Sequence, residues 1–348
     1  MPSLKTLDYK TGKLRRLARL ADKRGCFSML AIDQRKSLRQ MISGKTGEKP
    51  DQIADEGLIK IKRIVTTHLS PMASAILTDP LFGYASTLPF IPGSLGVMLS
   101  IEVTGYNVVN GSERHSRLIP SWGVEQTSLA GGDAVKLLIW YSREASRETL
   151  EHQFGIVRNT GEACEKYGIP FILEVVNYPL DGKAPKSAAY AREKAERVID
   201  AARVFSDPEF RVDMLKLEFP GELSFVKEFQ GRSFSANEVV YDLDEIKDYC
   251  RRTDEASAVP WVILSAGVEP EEFIENIKIS NQAGASGFLC GRAVWKNIID
   301  HYPDETSMEA FIRNDAAGYF ESILDANTAA LPWFEHKHYR DAHTDISF

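Results

Sequence analysis

Eight short apolar runs recur along the 348-residue chain, separated by segments with helical periodicity. The runs are FSMLAID, ASAILTD, LGVMLSIE, DAVKLLIWY, PFILEVV, VDMLKLEF, PWVILSAG and ASGFLCGR. Apolar runs of this length, bounded by turn residues, have the size of buried strands. After the first run, Leu58, Ile61, Val65 and Leu69 share a helix face. After the fourth, Leu150, Phe154, Val157 and Cys164 do so, with Gly168 where a helix end favours positive φ. Ala195, Val198, Ile199, Ala202 and Phe205 form a third stripe, and Pro270 opens a helix that closes near Gly284.

This alternation predicts βα units around a parallel sheet, and eight of them predict a (β/α)₈ TIM barrel, which needs ~250 residues. One domain covers 1–348, with the barrel over roughly residues 25–300. The surplus reads as an N-terminal helix, an insertion over 105–122, and a C-terminal helix with a tail at 329–348. An open doubly wound sheet is the competing fold, but no glycine-rich phosphate loop follows the first run.

Composition narrows the class. The net charge of −7 argues against nucleic acid or an anionic membrane as the main partner. No apolar stretch approaches the ~18 residues of a membrane span, and the polar N-terminus lacks a signal-peptide core. Cys26, Cys164, Cys250 and Cys290 are widely spaced and read as reduced thiols of a cytoplasmic protein.

Four runs carry charges that do not belong in a core strand: Asp33, Lys136, Glu174 and Lys216. Strand side chains alternate faces, so Lys136 opposes Val135 and Leu137, Glu174 opposes Leu173 and Val175, and Lys216 opposes Leu215 and Leu217. The apolar set would face helices and the charges would point into the barrel, near its open C-terminal mouth. A structural ion-pair network is the alternative. The last two runs end in Ser265-Ala266-Gly267 and Gly291-Arg292, a pattern suited to phosphate at the loops after strands 7 and 8. Without a phosphate it would be tight-turn glycines and a surface arginine.

Two inward lysines, a carboxylate and a phosphate site fit imine chemistry. A lysine beside a second cation in a partly desolvated pocket is partly neutral and can attack a carbonyl. Lys216 and Lys136 supply that pair, and Glu174 could move the protons. All seven histidines lie outside the runs, and His336, His338 and His343 read as a packing or solvated tail segment. No metal or other cofactor is expected.

The motifs AIDQR, AVKLL, FILE, DMLKLEFP, LSAGV and GFLCGRAVW, with IEVTGY and VFSDPEFRVD, resemble the class I tagatose-1,6-bisphosphate aldolase family over about residues 12–300. The related sulfofructose-phosphate aldolases share several of them. The resemblance implies Lys216 as the Schiff-base lysine, Glu174 as the proton-transfer residue and Lys136 as the second lysine. It implies Asp33 and Gln34 on substrate hydroxyls. It places Ser265, Gly267, Gly291 and Arg292 at the phosphate of the dihydroxyacetone-phosphate half. Lys36 stands in place of a family glycine, and Asn177-Tyr178-Pro179 in place of Thr-Tyr-Asp. The aldehyde half therefore stays open between a phosphate and a sulfonate. A non-catalytic sugar-phosphate-binding barrel is the more distant reading. The implied partner is a phosphorylated ketose, and barrels of this kind often form homo-oligomers, here a dimer.

Overall fold

The structure, a computed structural model, describes residues 9–340, so His343 lies outside the described residues. Eight parallel strands close into a barrel: β1 (Phe27–Ala31), β2 (Ala75–Thr78), β3 (Gly96–Ser100), β4 (Ala134–Tyr141), β5 (Phe171–Asn177), β6 (Met214–Leu217), β7 (Trp261–Leu264) and β8 (Gly287–Cys290). Each pairs with its sequence neighbours, and β8 closes on β1. At that seam Gly287 lies opposite Phe27 with φ 127°, and a Cβ there would sit 1.9 Å from the Phe27 carbonyl oxygen. Only glycine allows so close an approach.

The period of two along each strand sorts the core. Val135, Leu137, Leu173, Val175, Leu215, Leu217, Ile263 and Phe288 face outward into one cluster with the helices. Met29, Ala75, Met98, Ala134, Ile172, Met214, Val262 and Leu289 face inward and fill the barrel's lower layers. The floor is closed from below. Leu17 and Leu20 of the N-terminal helix Tyr9–Leu20 join the inward cluster, as do Trp333 and Tyr339 of the tail. A buried Lys13–Asp213 pair at 2.9 Å fastens that helix to the start of β6.

The helices follow the sequence stripes. Arg147–Lys166 begins at Ser146, whose side chain accepts the Thr149 N–H, and ends before Gly168 at φ 58°. Pro270–Ala283 ends on Gly284 at φ 118°. The alternation is less even than the sequence suggests. Between β1 and β2 stand two helices, Lys36–Thr46 and Asp55–Leu69. By contrast, β2 is followed by the single turn Tyr84–Thr87, and β3 by the short helix Val124–Leu129. The 105–122 insertion holds a hairpin, Asn107–Val109 against Glu113–His115. It turns at Asn110 and Gly111, both with positive φ, the Asn-Gly chemistry of tight hairpins. All four cysteines are buried and unpaired. Among the described residues no helix is long and apolar enough to cross a membrane.

Candidate active site

With the floor closed, the C-terminal mouth opens into a cavity of about 640 Å³. Asp33, Gln34, Lys136, Glu174, Lys216 and Arg292 all line it. Strand register explains the convergence. Lys136, Glu174 and Lys216 sit two residues beyond the inward Ala134, Ile172 and Met214, one layer higher, and Glu174 pairs directly across from Lys216.

Lys136 is the hub. Its Nζ lies 2.9 Å from Asp33 Oδ2, 2.8 Å from Glu102 Oε1 and 2.8 Å from Glu174 Oε2. Burial disfavours its charge, yet the three carboxylates outweigh that and hold its pKa well above the usual lysine value. Lys136 is therefore a fixed cation. Lys216 has a thinner shell: its Nζ lies 2.9 Å from Glu174 Oε2, the same oxygen that meets Lys136. Burial pushes the Glu174 carboxyl up, but Lys136 and Lys216 together pull it below its ordinary value, against the opposing field of Asp33. Asp33 is also buried, and Lys136, Lys216 and Arg35 hold it well below the usual carboxylate range.

The end of β1 is held from behind. A fully buried Lys62–Asp79 pair at 2.8 Å lies beneath it, and Lys62 Nζ also donates to the carbonyls of Ile32 and Gln34, on either side of Asp33. Gln34 Oε1 is buried without a hydrogen-bond partner among the described residues, an acceptor left for a ligand hydroxyl. Gly291 makes room for that side chain, since a Cβ there would lie 3.0 Å from Gln34 Nε2 and 2.6 Å from the Ala31 carbonyl oxygen.

Across the mouth, the loop after β7 turns through Ala266 (φ 47°) and Gly267 (φ 72°). The Arg292 guanidinium lies beside Gly267, where a Cβ would be 3.7 Å from its central carbon. Arg292 and Ala266 line the cavity, whereas their chain neighbours Ser265, Gly267 and Gly291 do not.

Four residues of this mouth have no role in the sequence reading, although strand alternation already puts one of them, Glu218, on the face of Lys216. Glu102 is the third carboxylate on Lys136, and its other oxygen accepts the Leu138 N–H at 3.1 Å. Its parity with inward Met98 was the available signal. Buried Arg35 donates to the Glu102 carbonyl at 2.8 Å. Glu218, beyond Lys216 on the same face, accepts both the backbone and side-chain N–H groups of Asn177, and burial pushes its carboxyl up. Arg114, from the unforeseen hairpin, also reaches the cavity. Among the described residues, no set of three or more His, Cys, Asp or Glu side chains is arranged to hold a metal ion.

A closed parallel barrel with a lysine–carboxylate centre at its C-terminal mouth defines the class: an enzyme of the (β/α)₈ type built for lysine chemistry. The chain belongs to the DeoC/LacD aldolase family, whose model matches residues 27–297. Among curated relatives, the tagatose 1,6-diphosphate aldolase of Lactococcus lactis is 32% identical over 327 residues, covering 92% of this chain and 97% of its own. That of Staphylococcus epidermidis is 33% identical over 318 residues, covering 91% and 94%. A fructose-bisphosphate aldolase structure from Plasmodium falciparum shares the fold with a TM-score of 0.67 at 13% identity, covering 93% of this chain and 96% of that one.

Proposed function

We propose that the protein is a class I aldolase that reversibly cleaves a ketose phosphate of the tagatose 1,6-bisphosphate type into dihydroxyacetone phosphate and a three-carbon aldehyde. The observation that carries this reading is the single Glu174 oxygen shared by Lys216 and Lys136 in the barrel mouth. Lys216 is the nucleophile toward the C2 carbonyl. When Lys216 gives up its proton, Glu174 loses one of the two cations that keep it ionised. Its proton affinity then rises, it takes up the proton that leaves the Lys216 nitrogen, and it passes that proton to the carbinolamine hydroxyl, which leaves as water. The resulting iminium restores a positive charge beside Glu174 and returns it to the carboxylate form. That carboxylate accepts the C4 hydroxyl proton as the C3–C4 bond breaks. The bonding electrons move to the imine nitrogen, Glu174 gives that proton to C3 of the enamine, and water hydrolyses the iminium so formed, releasing dihydroxyacetone phosphate and free Lys216. Lys136 stays cationic throughout and offsets the charge on Asp33, Glu102 and Glu174.

Asp33 and Gln34 are assigned to substrate hydroxyls. Ser265, Gly267, Gly291 and Arg292 are assigned to the phosphate next to C2. The support is that Asp33, Gln34 and Arg292 line one cavity, that Ser265, Gly267 and Gly291 are chain neighbours of its lining residues Ala266 and Arg292, and that among the described residues the Arg292 guanidinium beside Gly267 has no hydrogen-bond or ion-pair partner. We take the enzyme to be a cytoplasmic homodimer, and exposed Leu81, Leu88 and Phe90 on the β2–β3 connection offer apolar surface for such a contact. Product analysis over ketose phosphates, with and without a sulfonated terminus, tests the reading. Release of dihydroxyacetone phosphate from at least one supports it, and release from none refutes it.

A further inference from the structure

The insertion hairpin carries an arginine that the proposed chemistry does not use. Arg114 lines the cavity with its guanidinium against three aromatic rings, 4.4 Å from the Tyr106 centroid, 4.7 Å from Trp140 and 4.4 Å from Tyr178. Arginine suits such stacking because its charge is delocalised and weakly hydrated. Among the described residues, this guanidinium makes no hydrogen bond or ion pair. The nearest acid in sequence is committed elsewhere: Glu113 points the other way and accepts from Ser146, Thr149 and Asn110.

The backbone of Arg114 is fixed on both sides. Its N–H donates to the Tyr178 hydroxyl at 2.9 Å, and its carbonyl accepts from Gln153 at 3.1 Å. The cation is thus held in place before any ligand arrives, with planar donors free to meet an anion. Preorganisation of this kind lowers the entropic cost of binding.

Its position relative to Arg292, the other cavity-lining arginine whose guanidinium has no hydrogen bond or ion pair among the described residues, defines the ligand. Trp140 belongs to β4 and Tyr178 follows β5, while Arg292 follows β8. In the strand order, β4 and β8 are four places apart in a ring of eight and so face each other across the mouth. Lys216 on β6 lies midway between them. One elongated substrate would then meet a cation at each end and the nucleophilic lysine between. Lys36 and Lys186 also line the cavity, but both are exposed to solvent.

Resting on the aldolase reading above, we propose that Arg114 in its aromatic cage binds the terminal oxyanion of the aldehyde half, the group farthest from the phosphate next to C2. The shared chemistry is a tetrahedral oxyanion, which a phosphate ester or a sulfonate can supply. Arg114 would select for substrates charged at both ends and place the C3–C4 bond over Lys216.

The test compares cleavage of three ketose 1-phosphates whose far ends carry a phosphate, a sulfonate or a plain hydroxyl. Arg114→Met keeps the length and loses the charge. Trapping of dihydroxyacetone phosphate with borohydride is the control, because that half does not reach Arg114. Loss of a charge-assisted hydrogen bond should lower kcat/KM roughly 10–100-fold on the preferred doubly charged substrate. The hydroxyl-ended substrate should lose no more than a few-fold, and Lys216 should still be trapped. The charged substrate that loses more identifies the anion as phosphate or sulfonate. An equal loss on all three substrates, or no loss on any, overturns the assignment. So does a result in which Lys186→Met, rather than Arg114→Met, abolishes the preference. A wild-type enzyme that neither traps dihydroxyacetone phosphate nor cleaves any of the three overturns the aldolase reading, and the assignment with it.

Discussion

Replacing Lys136 by methionine should change the sign of the protein's pH dependence. In the wild type, Lys136 is 1% exposed and holds Asp33, Glu102 and Glu174 within 2.9 Å. Asp33 and Glu174 have depressed pKa values, so their contribution to stability is present above the ordinary carboxylate range and is lost as pH falls through their lowered values. That window lies below about pH 4. Methionine fills the space but leaves three buried carboxylates around an apolar thioether, with Lys216 still touching Glu174. Removing one partner of a buried ionic cluster costs about 3–5 kcal/mol. The carboxylates relieve part of this by holding protons, so their folded-state pKa values rise above the unfolded ones. For such groups the folded state binds more protons, and stability falls as pH rises from about 4 upward. Urea unfolding of both proteins at pH 5 and pH 8 measures the effect. The variant should lose the full amount at pH 8 and clearly less at pH 5. An equal loss at both values would refute the view of Lys136 as the charge that neutralises this centre.

Two further outcomes follow from named contacts. Glu174→Gln keeps the shape and removes the proton carrier, so kcat should fall roughly 10²–10⁴-fold while slow imine formation stays detectable by borohydride trapping; a near-normal kcat would leave Glu174 a structural partner of the lysines. His336 in the tail is buried, and its Nδ1 accepts the His338 backbone N–H. Burial, aided by Lys337, His338 and Arg340, lowers its pKa to about 4. The folded state therefore resists the proton, and stability should fall as pH drops from about 6.5 to 4, by on the order of 3 kcal/mol. His336→Asn should flatten that part of the stability curve, and an unchanged slope would contradict the assignment.

The barrel was legible because its information is local. Alternation along each run put Lys136, Glu174 and Lys216 on the inner face, and the structure places them there. The same rule extends to Glu102, but that residue lies two positions beyond the end of β3 at Ser100, at the end of a run that otherwise reads as apolar. The Asn-Gly pair at 110–111 is a hairpin signal inside the 105–122 insertion. Other features depend on contacts that sequence spacing does not encode. Lys62 sits beside the apolar stripe of its helix, where a charge is usually solvated, and only the approach of Asp79 from β2 makes it buried. The tail gave no pattern, yet Trp333 and Tyr339 close the barrel floor. The expectation about the lysine pair also changed in detail. Lys136 does not stand as a bare cation beside Lys216, because three carboxylates already surround it.

The central claim is that Lys216 carries the imine. Incubating the wild-type enzyme with dihydroxyacetone phosphate and borohydride in the presence of EDTA, then mapping peptides by mass spectrometry, tests it directly. The account predicts one reduced three-carbon adduct on Lys216, whose Nζ shares the Glu174 oxygen with Lys136. An adduct on Lys136, or no adduct at all, would contradict it.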